Sequence, residues 1–391
     1  MACNYVSSND NRLYVGLEAE YGQVPAIQSG NRIPAVRLKV KQQLERPERK
    51  DKTGTRTFAG TPAGLRKRTT FDLATYMTGW TGPSDEPVYG PLFRAGLGAA
   101  PVFFAGGTAA ANPNAELLSF AAAHSLLPGQ AVTFGGELRF VCSIVDGTTV
   151  ELNAPFTVTP AAGSPIGATA TYQPATKLPS VSIFDYWSPA SVVHRVVNGA
   201  AVDRLTINVN GDYHEFQFSG IAADVIDSTS FTAQQGGLAS FPEEPGIDPY
   251  NYAVIPGHLG EAWMGNTPDQ FFTLTVAKVT LDNTIDPRER EFGADSPRCL
   301  APGMRTVTAD LELFETDNDK TRMLYQAARQ SSPITVMLQL GQQPGQLAGV
   351  YLKSVVPEVP EFDDSETRLQ WKFSSCRAQG AGNDEMYVAF G

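Results

Sequence analysis

The sequence predicts a mainly β protein built from two tandem copies of one unit, each with one short helix, plus a small inserted β-barrel-like module. Three observations carry this. Glycine (36) and proline (28) are scattered through the 391 residues, which suits short strands joined by many turns. The stretch GLRKRTTFDL, Gly64 to Leu73, returns as GMRTVTADL, Gly303 to Leu311. The segments flanking these two stretches also follow one another in the same order.

In the first copy, AVRLKVKQQLE (Ala35–Glu45) alternates apolar and polar residues, the pattern of a half-buried strand. A charged, turn-rich loop, Arg46–Gly64, leads to a second alternating run, RKRTTFDLATYM. A short helix falls within Glu86–Gly98, although Pro87 and Pro91 oppose it. In the second copy, FFTLTVAKVTLDN (Phe271–Asn283) is the first strand, Asp286–Gly303 the charged loop and Met304–Glu315 the second strand. The helix within Thr316–Gln330 is better marked: Asp and Asn can cap its N-terminus, and Met323, Leu324, Ala327 and Ala328 share one face. SPITVMLQLG (Ser332–Gly341) corresponds to LPSVSIFDYW (Leu178–Trp187), and QWKFSS (Gln370–Ser375) to EFQFSG (Glu215–Gly220). Several ordered matches imply a tandem duplication with a segment inserted into the first copy.

The insert, residues 112–176, holds strands broken at Gly135-Gly136 and Asp146-Gly147, both hairpin signals. A further hairpin, Asp203–Phe218, is expected to turn at Asn210-Gly211 in type I′ geometry. The expected division is 1–111 with 177–240 as a discontinuous first unit, 112–176 as an outward-projecting module, 241–270 as a linker and 271–391 as the second unit.

Composition excludes several classes of function. A net charge of −11 and a pI near 4.9 argue against an affinity for nucleic-acid phosphates. Cys3, Cys142, Cys299 and Cys376 lie far apart with no C-x-x-C spacing, as expected of unpaired thiols in the cytoplasm where the chain is made. The polar N-terminus lacks the apolar core of a signal peptide. The uncharged-rich run Ala95–Ala115 is too weakly apolar to span a bilayer and reads as a linker.

No phosphate loop, nucleophile elbow or H-E-x-x-H motif is present, and His124, His194, His214 and His258 are isolated. DNDK (Asp317–Lys320) reads as a helix cap rather than a calcium loop. The chain is therefore expected to be no enzyme and to need no cofactor or metal. The charged loops are the one recurrent surface feature. Arg46, Glu48, Arg49, Lys50, Asp51 and Lys52 stand in the first, and Asp286, Arg288, Glu289, Arg290 and Glu291 in the second. Their alternating signs suit either solvated tips or a contact with another copy.

The order of strand, long loop, strand, helix and further strands, seen twice, resembles the tail tube proteins (major tail proteins) of long-tailed bacteriophages with non-contractile tails. LYVGLEAEYGQVPAI (Leu13–Ile27) resembles the family's opening, where a Glu precedes a Tyr-Gly pair. The resemblance implies tandem β-sandwich units, with Phe71, Leu73, Leu311 and Leu313 facing the sandwich interior. It implies homotrimeric rings of pseudo-hexameric appearance, stacked into a virion tail tube, and the eleven loop residues as inter-ring contacts. Partners would be further copies of the chain and the tape measure, distal tail and terminator proteins, with double-stranded DNA crossing the lumen at ejection and no membrane. Net negative charge would keep the passage from gripping phosphate. The alternative is a carbohydrate-binding surface or adhesion protein, with Tyr250, Tyr252 and Trp263 as its aromatic platform.

Overall fold

The computed structural model describes residues 5–46, 50–58, 60, 64–80, 82, 85–188, 190–247, 252–265, 269–271 and 273–391. Three strands, β1 (Asn11–Leu17), β2 (Ala35–Leu44) and β3 (Lys67–Tyr76), precede helix α1 (Gly90–Leu97). Short strands follow: β4 (Val102–Phe104), β5 (Gly107–Thr108), β6 (Leu117–Ser119), β7 (Ala131–Phe134), β8 (Glu137–Ile144), β9 (Thr149–Leu152), β10 (Pro165–Ile166) and β11 (Thr169–Tyr172). The next four are β12 (Val181–Trp187), β13 (Arg195–Val209), β14 (Glu215–Ala222) and β15 (Asp224–Asp227). Then come β16 (Gly260–Gly265), β17 (Asp269–Gln270), β18 (Leu274–Asp282), β19 (Thr306–Phe314) and α2 (Asp319–Gln330). The chain ends with β20 (Ile334–Leu340), β21 (Ala348–Val356), β22 (Glu361–Asp363), β23 (Gln370–Ala378) and β24 (Tyr387–Phe390). The mainly β prediction holds.

One antiparallel path organises the molecule: β2–β3–β14–β13–β18–β19–β23. A second layer in the first half runs β1–β12–β13–β15. Its counterpart in the second half runs β16–β20–β21–β24 and is extended by β11 and β4. The core lies between the layers. Phe71, Leu73, Leu311 and Leu313 are all buried there, beside Val15, Ile183, Phe218, Val336 and Phe390.

β13 serves both layers because it bends. Its first half pairs with β12 and β15, its second with β14 and β18. Register with β12 shifts between Val181 and Ile183, and Gly199 within the shift has φ 59°, a left-handed conformation that glycine adopts without a Cβ clash. The backbone N–H of Gly199 donates to buried Glu18 at 2.8 Å. The same carboxylate accepts from Gly22 N–H at 2.7 Å and from the Ser180 and Ser182 hydroxyls at 2.6 Å each. Glu18 is thus a structural anchor, satisfying the donor that the bulge frees, whereas Glu20, the residue next to the Tyr21-Gly22 pair, is exposed.

Several local expectations meet a different outcome. Thr321, Leu324, Ala327 and Ala328 form the buried face of α2, while Met323 is exposed. Asn318 caps this helix, its side chain accepting from Lys320 N–H at 3.0 Å. At the β13–β14 turn Asn210 is left-handed at φ 66° but Gly211 is not, so the type I′ turn does not form; the strands resume only at Glu215. Gly135 and Gly136 do both take positive φ between β7 and β8. The run Ala95–Ala115 is no plain linker, since it contains the end of α1 and strands β4 and β5. Residues 260–265, within the expected linker, form β16 and pair with β20.

Residues 112–176 carry their own small sheet, β6–β9–β8–β7, around Leu118, Val132, Val141, Val150 and Phe156. Their other face is occupied. Ala131, Leu138 and Phe140 pack with Trp263, Met337, Tyr351 and Tyr387 of the second half, and Phe140 stacks on Tyr351 at 5.2 Å. Gly349 of β21 admits this close approach, for a Cβ there would lie 2.5 Å from Leu138. The segment lies against the second-half layer rather than simply projecting from the first, and its last strand, β11, is shared with that layer.

Candidate assembly interface

Strict alternation along the long strands gives the seven-strand path two unlike faces. One supplies the core. The other is mostly polar: Arg37, Lys39 and Lys41 on β2; Arg68, Thr70 and Asp72 on β3; Glu215 and Gln217 on β14; Arg204 and Thr206 on β13. It continues with Lys278 and Asp282 on β18, Asp310 and Glu312 on β19, and Lys372 and Arg377 on β23. The residues named carry eight cations against five anions, so the molecule's net acidity does not reside on this face.

The two halves join within this sheet. β13 pairs with β18 from Arg204↔Asp282 through Ile207↔Val279 to Val209↔Ala277. Ile207 and Val279 are fully buried, and Arg204 donates to Asp282 at 2.7 Å. Burial works to raise the Asp282 carboxyl, but the Arg204 hydrogen bond and the Thr284 N–H outweigh it and hold the group below its usual range. Behind the junction, the side-chain amide of Asn283 donates to the carbonyls of Gly96 and Val202, tying α1 to the seam. Phe93 of α1 packs edge-on against Phe216, Phe218 and Phe390, rings drawn from both halves.

At the two ends of this path, β2 and the short β22 beyond β23 have no such partner among the described residues: β2 pairs only with β3, and β22 only with β23. They differ in charge: β2 carries Arg37, Lys39 and Lys41, whereas Glu358, Glu361, Asp363, Asp364 and Glu366 surround β22. The Lys372 ammonium and Ser365 hold Asp363 well below the usual carboxylate range. Phe362 on β22 is 57% exposed although it stacks on Trp371. Lysines on one edge, and a three-residue strand preceded by Pro357 and Pro360 on the other, also discourage indiscriminate pairing.

The charged loops lie at one end of this sheet and touch. Arg68, at the base of the first, pairs with Glu289 of the second at 3.2 Å, and Lys67 N–H donates to Asp295 carbonyl at 2.7 Å. An open groove of about 620 Å³ lies between them, lined by Gln42, Leu44, Arg46, Arg66, Glu289 and Arg290 among others. Arg288 pairs with Glu291 at 2.6 Å, and its N–H donates to Asp286. Part of the alternating charge is therefore matched within the chain. Arg46, Lys50, Asp51, Lys52 and Arg290 are exposed, while Glu48 and Arg49 lie outside the described residues. Sequence reading missed one loop feature: each presents an exposed phenylalanine, Phe58 and the wholly exposed Phe292. The visible signal was a single aromatic within each charged, turn-rich run.

No reaction centre emerges from the remaining candidates. Among the described residues no three His, Cys, Asp or Glu side chains gather as metal ligands, and no helix is long and apolar enough to cross a membrane. Buried His214 donates through Nε2 to the Leu259 carbonyl at 2.8 Å. Cys142, Cys299 and Cys376 are unpaired. Of the aromatics considered for glycan binding, Tyr250 lies outside the described residues and Tyr252 donates to the Arg32 carbonyl. Trp263 is buried beneath the Arg139 guanidinium, 4.9 Å from the ring centroid, and offers no open platform.

A family model described as phage tail tube protein matches residues 8–367. No curated protein matches the sequence.

Proposed function

The chain belongs to the phage tail tube protein family and is a structural component of a phage tail, and from that premise we propose how it builds the tube. Each chain supplies two tube units, the first formed by residues 1–111 with 177–240 and the second by 271–391, so three chains close a ring with pseudo-six-fold appearance. The polar face of the long sheet lines a lumen through which double-stranded DNA leaves the virion. Rings stack through the paired charged loops, and the ends of the tube meet the tape measure, distal tail and terminator proteins. The observation that carries this reading is the internal junction: β13 meets β18 as one unit would meet the next, while matching edges at β2 and β22 stand open. A lumen in which anions interrupt the cations also suits passage, since it gives phosphate neither a uniform basic wall to bind nor a uniform acidic wall to oppose it. Electron micrographs of the purified protein test this. Rings of three chains are expected; rings of six chains would refute the two-units-per-chain count.

The stacking role has its own test. Exposed ion pairs contribute only ~0–1 kcal/mol each, but a ring would use such a loop at every unit. Reversing Lys50, Lys52 and Arg290 to Glu, or replacing Phe58 and Phe292 by Ser, should shorten tubes severalfold while circular dichroism stays unchanged. Raising salt should shorten wild-type tubes in the same direction as charge reversal. Tubes of wild-type length in both variants would reduce the loops to solvated tips.

A further inference from the structure

We propose that β22 of one copy pairs antiparallel with β2 of a second copy, in the register that the chain already uses where β13 meets β18. The proposal rests on the ring reading above and specifies its contact residue by residue. The two halves can be superposed strand by strand from their pairings. Leu73 opposes Phe218 as Leu311 opposes Phe373, which makes β3 equivalent to β19 and β14 to β23. Leu38 opposes Leu73 as Ala277 opposes Leu311, so Val40 holds the place of Val279. Ile207 opposes Phe216 as Phe362 opposes Trp371, so Phe362 holds the place of Ile207.

Transferring the internal pairing Ile207↔Val279 then sets Phe362 against Val40 of the second copy, Glu361 against its Lys41 and Asp363 against its Lys39. Two independent features agree with that transfer. The apolar pair falls on the core face, where Ile207 and Val279 are fully buried but Phe362 is left 57% exposed. Both charged pairs fall on the polar face with opposite signs, the arrangement that favours cross-strand neighbours. A slip of one residue would turn Phe362 onto the polar face, which the pleat forbids at a buried seam. A slip of two would keep opposite charges in apposition, so charge alone does not establish register. The contact is head-to-tail and uses different edges on the two partners, as ring closure requires.

Full-length protein tests both aspects. Lys39→Glu with Lys41→Glu should reduce assembled rings at least tenfold, as should Glu361→Lys with Asp363→Lys, and all four changes together should restore them. Circular dichroism would separate these losses from misfolding. For register, a chain carrying Val40→Cys and Phe362→Cys should form an intermolecular disulfide on mild oxidation, identified by mass spectrometry. The two-residue-shifted pair, Leu38→Cys with Phe362→Cys, should cross-link at least tenfold less. Preferential cross-linking of the shifted pair, or failure of the fourfold variant to reassemble while folded, would overturn this contact with the ring reading intact. Wild-type protein that forms no ring at all would instead overturn the ring reading.

Discussion

Replacing Arg139 by Ala is expected to destabilise the protein by about 3–5 kcal/mol, the range found when one member of a buried ion pair is removed. Arg139 is fully buried. Its Nη2 donates to Glu137 at 2.7 Å and to Glu261 at 3.1 Å, its Nε to the Pro155 carbonyl, and its Nη1 to the Leu138 carbonyl and Gln339. Burial pushes the guanidinium pKa down while Glu261 and Glu137 push it up, so desolvation is the larger influence. Truncation would leave two largely buried carboxylates facing each other without a cation, and would uncover the face of Trp263. Because Glu137 and Glu261 belong to different halves of the contact, the loss should be greatest in the seating of residues 112–176. Hydrogen exchange should quicken in β7, β8 and β20 before β3 or β14. By comparison, Arg204→Ala removes a pair whose arginine is 58% exposed, and should cost no more than about 1 kcal/mol. Equal denaturation midpoints for the two variants would mean that the Arg139 network contributes no more than a surface pair.

The second large effect is expected at Glu18. Glu18→Ala strands two backbone N–H groups and two hydroxyls at the bend of β13, and hydrogen bonds to a charged acceptor are worth ~1.5–3 kcal/mol each. Ser180 and Ser182 can rotate toward other partners, but the N–H groups of Gly22 and Gly199 cannot, so a net loss of about 3 kcal/mol is expected. Glu18→Gln should recover only part of it. Each carboxylate oxygen accepts one backbone N–H, from Gly22 on Oε2 and Gly199 on Oε1. An amide presents only one oxygen, and its nitrogen would confront the remaining donor. Urea denaturation of the three proteins measures this; a glutamine variant as stable as wild type would show that one N–H finds another acceptor.

These two sites mark the limit of what was legible in the sequence. The repeated alternation around Asp72-Leu73 and Asp310-Leu311 was readable because one sheet face is apolar and the other polar, and the two pairs do hold equivalent places against β14 and β23. The α2 cap at Asn318 was readable because capping is local. By contrast, Arg139 and Glu18 look like ordinary charged residues in strand-rich segments. Their roles depend on Glu261, Gln339, Ser180 and Gly199, which are remote in sequence, and no periodicity reports such meetings. The seating of the inserted segment escaped for the same reason: Leu138 and Phe140 read as module core, and only the fold brings Gly349 and Tyr351 beneath them. The charged loops were visible as charge, but not that Glu289 is drawn to Arg68 instead of being offered to a neighbour.

The seam between β13 and β18 also bears on the kinetics of growth. Two strands tethered in one polypeptide meet at an effective concentration far above that of free subunits, on the order of millimolar for short connections. In the proposed ring, every second junction is therefore complete once a chain has folded, and the remainder form by collision. Ring nucleation then requires encounters among three bodies rather than six, which lowers its dependence on protein concentration. In that ring, carrying two units on one chain gives the tail an assembly rate that holds up while subunits are still scarce, before any change in the strength of an individual contact.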